Sequence, residues 1–240
     1  MTSTAVDRPP SVWEDLLELF YAPRAVFERR RETPAFGLAL IILVAAILLL
    51  TFVFKGVMEP VFEAEFHRGT VQAMKQNPQL TPEMMEQGKQ FWQKFMVVII
   101  GFTMLIMPLV LGLVLWVVGK LVESKAALGQ AMMVATYAMF PRVLEGIINA
   151  IQMLALPLDN IDSRFRVTIG IGRLLDPVST NPLVYALLTR VDLFTLWVTL
   201  LLGIGIAVMG KLSRERAILV AVVMWIVGAI PAVWGAVKAM

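Results

Sequence analysis

The sequence predicts an all-α integral membrane protein: five membrane-spanning helices preceded by an amphipathic interfacial helix. Hydrophobic residues make up 58% of the 240 and charged residues only 16%, against about 45–50% and about 25% in ordinary soluble domains. Five apolar runs approach or exceed the roughly 20 residues that span about 30 Å of hydrocarbon. Lysines and arginines gather at the ends of those runs rather than forming one basic stripe, so the net charge of +3 suits acidic headgroups and not nucleic acid.

The arm, residues 1–33, comes first. In "SVWEDLLELFYAPRAVFERRR", Ser11 and Glu14 carry a capping-box signal, and Val12, Trp13, Leu16, Leu17 and Phe20 recur at helical spacing. Pro23 breaks this helix, and a second segment follows with Val26 and Phe27 as its apolar residues. An amphipathic helix ending in Arg29, Arg30 and Arg31 beside a span fits a leaflet anchor in contact with anionic lipid. It equally fits a helix packed on the bundle, and the two readings are compatible.

The membrane domain covers 34–237. Its first span, about 34–54, starts too far into the chain for a cleaved signal peptide and is read as retained. A long loop follows, with a helix start at Thr81-Pro82-Glu83. The second span, about 95–119, contains Pro108, a predicted kink. The third occupies about 126–146 and extends in one reading to 156. A turn-rich loop with Asp176-Pro177 and Asn181-Pro182 leads to a short interfacial helix over Leu183 to Arg190. The fourth and fifth spans are about 193–210 and 217–237. Ten lysines and arginines fall on each side of this topology. Those on the arm side crowd into the arm and the two short connections "KLVESK" and "KLSRER", which predicts a cytoplasmic N-terminus and an outside C-terminus.

The third span raises the main functional question. Arg142, Glu145, Asn149 and Gln152 follow a 3-4-3 spacing and share one helical face. If the span ends near residue 146, Arg142 lies about 25 Å from its start and snorkels to the far headgroups. If one helix continues to 156, the four residues form a polar groove facing the bundle, able to line a path, bind a headgroup or meet another subunit. Both readings stay open on the sequence alone.

Catalytic readings fail. There is no cysteine, and His67 is the only histidine, so thiolate chemistry and multi-histidine metal sites are excluded. No serine in an apolar run has a base beside it, and Asp192 borders a span without a partner aspartate. No nucleotide fingerprint occurs; "GIGIAVMG" is read as close helix packing. The expectation is a non-enzyme without cofactors.

Three segments resemble the Yip-domain family, whose founding eukaryotic members bind Ypt/Rab GTPases. "LFYAPRAVFERRR" matches its Phe-x-x-Pro-x-x-x-Phe entry motif at Phe20, Pro23 and Phe27. "LGQAMMVATYAMFPRVLEGI" matches at Gly129, Tyr137 and Pro141. "VDLFTLWVTLLLGIGIAVMGKLSRERA" matches at Asp192, Phe194, Trp197, Gly203 and Gly205. The resemblance implies five spans, a cytoplasmic N-terminus and a role in membrane traffic. The short arm and long first outside loop look like prokaryotic members, some of which resemble accessory subunits of ABC-type exporters. It therefore implies a bacterial cytoplasmic (inner) membrane, with membrane lipids and either an exporter subunit, GTPase-linked machinery or a second copy as partners. The alternative is a small transporter or lipid-handling protein that uses the Arg142/Glu145 groove.

Overall fold

The computed structural model describes residues 11–239; the first ten residues of the expected arm lie outside them. Two short helices form the arm, α1 (Val12–Glu18) and α2 (Pro23–Arg29). They are followed by α3 (Gly37–Phe54), α4 (Glu59–Gln76), α5 (Pro82–Leu121), α6 (Leu128–Ala138) and α7 (Pro141–Ala155). Three 3₁₀ turns (Leu158–Asn160, Arg164–Val167, Ile171–Leu174) lead to α8 (Pro182–Leu188), α9 (Leu193–Gly210) and α10 (Arg214–Ala239). No β-strand occurs among the described residues; Gly170 and Asp192 form one isolated bridge. Five segments are long and apolar enough to cross a membrane: α3, α5, α6 with α7, α9 and α10. The chain is an all-α integral membrane protein.

Burial sorts these helices into a centre and a shell. About 61% of the apolar window of α9 and 50% of that of α6–α7 are buried, against 17% for α3, 11% for α5 and 22% for α10. Helix α9 packs on α6, α10 and α2; α5 packs on α6 and α3; and α3 also meets α7. The core gathers Leu115, Met133, Val134, Tyr137, Leu201, Ile206 and Val220 with Val26 and Phe27 of the arm. The outward faces of α3 and α5 stay apolar, as lipid or a neighbouring helix requires.

Two helices differ from the extents of the apolar runs. The helix carrying the second run starts at the Thr81-Pro82-Glu83 signal, with Thr81 Oγ1 accepting from Met84 N at 3.3 Å, and continues without a break through Pro108 to Leu121. Its 40 residues amount to about 60 Å, twice the hydrocarbon thickness. The more polar first part of α5 pairs with α4, where Phe62 stacks on Trp92 at 5.0 Å and Lys89 meets Glu63 at 2.7 Å. The third run is divided at Met139–Phe140, where α6 ends and Pro141 occupies the first turn of α7. A proline there sacrifices no helical donor and has φ preset for a helix start.

Close approach of α5 to α6 depends on Gly112: a Cβ built there would lie 2.6 Å from Met132 Cα, a backbone atom that cannot swing aside. Gly112→Ala is expected to force the helices apart and lower stability by about 1–3 kcal/mol. Gly129→Ala meets nothing within 4 Å and gains helix propensity, so it should unfold no earlier than the parent. Thermal unfolding of both variants in detergent reads the contrast directly.

Candidate functional site

The arm is built around a buried carboxylate. Ser11 Oγ accepts from Glu14 N at 3.3 Å while Glu14 Oε2 accepts from Ser11 N at 2.7 Å, which satisfies two orphan donors at the start of α1. The inward stripe of α1 then runs Val12, Asp15, Leu16, Leu19 and Phe20, and Asp15 is 0% exposed. Its oxygens accept from Arg30 Nε at 2.6 Å and Arg29 Nε at 3.2 Å, with the Tyr137 hydroxyl at 3.5 Å. Glu18 takes Arg29 Nη2 at 2.7 Å. Desolvation works against the Arg29 cation, but the hydrogen bonds to Asp15 and Glu18 outweigh it and raise its pKa above the ordinary arginine value. A carboxylate this buried is tolerated only because it is paired, so the cluster fixes position more than it adds net stability.

Motif residues of the arm meet motif residues of α6 and α9, and the others shape those helices locally. Phe20 sits edge-on to Trp197 at 5.3 Å, and Phe27 faces Tyr137 at 6.5 Å. Pro23 occupies the first turn of α2. Asp192 caps α9, its Oδ1 accepting from Phe194 N and Thr195 N at 3.0 and 2.9 Å. Gly205 lets Val134 of α6 press against α9, and a Cβ at Gly203 would lie 3.0 Å from Ala221 Cβ of α10. Gln130 ties the arm's exit to α6, donating to the Arg31 carbonyl at 2.8 Å.

Of the three arginines expected at lipid headgroups, Arg29 and Arg30 therefore turn toward carboxylates of the arm. Arg31 stays part-exposed near Glu32 and, with Arg24 and Arg214, borders a groove of about 650 Å³ between α2, α9 and α10. Its floor includes Leu200, Ile204 and Ile218. On the outer side of α1, Trp13, Leu17 and Tyr21 are 62%, 71% and 78% exposed. Trp13 and Leu17, spaced i, i+4, share one face of α1, and Tyr21 is exposed in the turn that follows it, so the arm is apolar on two faces.

The polar stripe lies on α7 and divides in two. Arg142 Nη1 meets Glu145 at 2.6 Å and Nη2 donates to Thr195 Oγ1 of α9 at 2.9 Å. Gln152 donates to the Val167 carbonyl at 2.8 Å and accepts from Arg173 at 3.0 Å, joining α7 to the 3₁₀ turns. Asn149 Oδ1 is buried without a hydrogen-bond partner among the described residues. At the base of α9, Arg190 donates to the Trp225 carbonyl at 3.3 Å and packs against Gly228. Burial, joined by the like charge of Arg142, lowers its pKa below the ordinary arginine value, and Asp192 offsets this in part.

The sequence reading had no place for Asp15, Glu18, Thr195 or Arg190 in these clusters. Only Asp15 had a local signal: positions 12, 15, 16, 19 and 20 form a stricter helical stripe than the apolar residues alone. No group of three or more potential metal ligands occurs among the described residues.

No curated protein and no solved structure matches the chain. The model of the Yip1 domain matches residues 17–235, a stretch that takes in the arm's Phe-Pro-Phe motif, the α6–α7 segment and all of α9. With nearly the whole membrane domain inside that match, the chain belongs to the Yip1-domain family.

Proposed function

We propose that this protein is a non-enzymatic membrane scaffold or accessory subunit that works through lateral helix contacts and through its arm. Its partner is a membrane protein, either an exporter subunit of the ABC type or GTPase-linked trafficking machinery. The observation that carries this reading is the clamped arm with its second apolar face. Adsorption to a leaflet needs one apolar face; here one face is occupied by the bundle, and Trp13, Leu17 and Tyr21 remain outward. Aromatic anchors on a rigid support are the usual energetic centre of a protein contact.

Lipids supplement that contact. In the groove between α2, α9 and α10, Arg24 is paired with Glu28 at 2.8 Å. Arg31, held loosely by Glu32 at 3.4 Å, and Arg214 leave positive charge above an apolar floor, a fit for an anionic headgroup on the arm side. The crowding of lysines and arginines near the membrane on that side supports a cytoplasmic arm and an outside C-terminus; the short arm, like that of prokaryotic family members, points to a bacterial cytoplasmic membrane.

A photo-crosslinking residue at Leu17, followed by gentle recovery of the tagged chain from its native membrane, tests the proposal. One partner protein in stoichiometric amount is the expected product. Combined Trp13→Ala, Leu17→Ala and Tyr21→Ala changes should cut its recovery by roughly tenfold or more. Recovery of a second copy would make the contact self-association. Recovery of lipid alone would sink the scaffold reading in favour of lipid or solute handling. That second reading draws support from the partnerless Asn149 oxygen on the α7 stripe, whereas Arg142 and Glu145 spend their charges on each other.

A further inference from the structure

On the side of the bundle opposite the arm, a cleft of about 980 Å³ opens between α4, the 3₁₀ turns, α8 and the last turns of α10. Its α4 wall is a single helical stripe of Ala64, His67, Arg68, Val71, Gln72 and Lys75, spaced i, i+3, i+4, i+7, i+8, i+11. The opposite wall is small and apolar: Ala232, Gly235 and Ala236 of a membrane-spanning helix. Tyr185 and Ala186 of α8 close another side. The cleft therefore joins headgroup-level polar residues to a bilayer-embedded surface.

Its charges are unequal. Four lysines and arginines line it against two aspartates, Asp162 and Asp176. Arg166 is neutralised by Asp162 at 2.6 Å, and Arg68 by Glu65 at 2.6 Å. Lys75 and Arg164 have no carboxylate at ion-pair distance among the described residues. The Arg164 guanidinium sits 4.8 Å above the Phe165 ring, which limits its freedom before any ligand arrives. Asp176 also lacks an ion-pair partner among the described residues, so the cleft keeps a small positive excess, which attracts a phosphate. At about 980 Å³, near the upper end of the roughly 300–1,000 Å³ of small-molecule sites, the volume greatly exceeds that of a phosphate alone.

We propose that this cleft binds a phosphate-bearing amphiphile, an anionic phospholipid, its headgroup drawn in by the cations Lys75 and Arg164 and its apolar part along Ala232 and Ala236. A phosphate oxygen accepts a charge-assisted hydrogen bond from such a cation, and the α10 wall shields the first carbons of the chains from water. The site is separate from the arm and from the α7 stripe, so it stands or falls independently of the contact role proposed above.

The test uses the purified full chain in neutral maltoside micelles, titrated with phosphatidylglycerol, phosphatidylcholine or glycerol phosphate, with bound lipid counted by native mass spectrometry. Lys75→Gln with Arg164→Gln is expected to weaken phosphatidylglycerol binding by roughly tenfold or more, since each cation near a headgroup adds a comparable increment. Gly235→Leu should have a similar effect with both cations intact, because a side chain there enters open space and meets nothing within 4 Å of its Cβ. Lys55→Gln with Lys94→Gln removes equal charge outside the cleft and should leave binding unchanged. Thermal unfolding without lipid verifies that each variant is folded. Parental binding by either cleft variant, or an equal loss in the control, would overturn the site. Displacement of the lipid by equimolar glycerol phosphate would overturn the lipid assignment and make the occupant a soluble phosphate ester.

Discussion

Asp15→Ala is expected to loosen the arm from the helix bundle, raising the rate of tryptic cleavage at Arg24 and Arg29 to Arg31 by roughly 100-fold or more. Removing one partner from a buried ion cluster typically costs about 3–5 kcal/mol, and each 1.4 kcal/mol is a tenfold change in the open population. Asp15 is 0% exposed and is shared by two guanidinium groups; without it, Arg29 retains only Glu18. The opposing force is apolar. Leu19, Val26 and Phe27 are each 0% exposed, and burying a side chain of this kind is worth about 1.5–3 kcal/mol. That contribution is large enough to keep the arm docked most of the time, so the expected change is in local opening and not in global folding. Cleavage rates at low protease concentration follow the open population and are the proper readout. Asp15→Asn preserves shape and one acceptor and should fall between the two. Cleavage of Asp15→Ala at the parental rate would show that apolar packing alone holds the arm and that the carboxylate is not its lock.

That lock shows where sequence reasoning loses its hold. Continuous apolar runs reveal membrane spans because bilayer thickness sets their length, and all five recur as helices long and apolar enough to cross. Helix starts at Ser11 and Thr81 were equally visible, since a cap is a local hydrogen bond. The aspartate is less so: its place in the stripe hints at burial, but beside Glu14 and Glu18 it looks like part of a solvated face, and its partners, 14, 15 and 122 residues away, are what explain that burial. Thr195 meets Arg142 across 53 residues, a pairing no local period encodes. The third run leaves two outcomes open, an end near residue 146 or continuation to 156, and the structure starts a second helix at Pro141 that runs to Ala155. The α4 stripe is not legible in the sequence because its spacing is carried by Gln72, His67 and Lys75 as much as by Val71, so apolar periodicity passes over it.

The second large effect is expected at Arg142. Replacing it with leucine strips Glu145 of its 2.6 Å partner in a segment long and apolar enough to cross a membrane. Side-chain exposures of 27% for Arg142 and 14% for Glu145 place the loss at or below the lower end of the about 3–5 kcal/mol seen for fully buried pairs. The hydrogen bond to Thr195 adds little, since interhelical hydrogen bonds in membranes average about 0.6 kcal/mol. Arg142→Leu should therefore unfold well before Thr195→Val in detergent, although both cut the link between α7 and α9. Removing both charges discriminates further. If the pair is structural, Arg142→Leu with Glu145→Leu should recover most of the lost stability, because well-packed apolar residues commonly replace a buried pair without penalty. A double variant no more stable than Arg142→Leu would show that polarity itself is required at this face, as a water-filled groove demands. Asn149→Cys in this cysteine-free chain supplies the independent check. Its modification by a membrane-impermeant maleimide would put water along the stripe and favour lipid or solute handling, whereas protection would leave Arg142 and Glu145 as the fastening between α7 and the central helix α9.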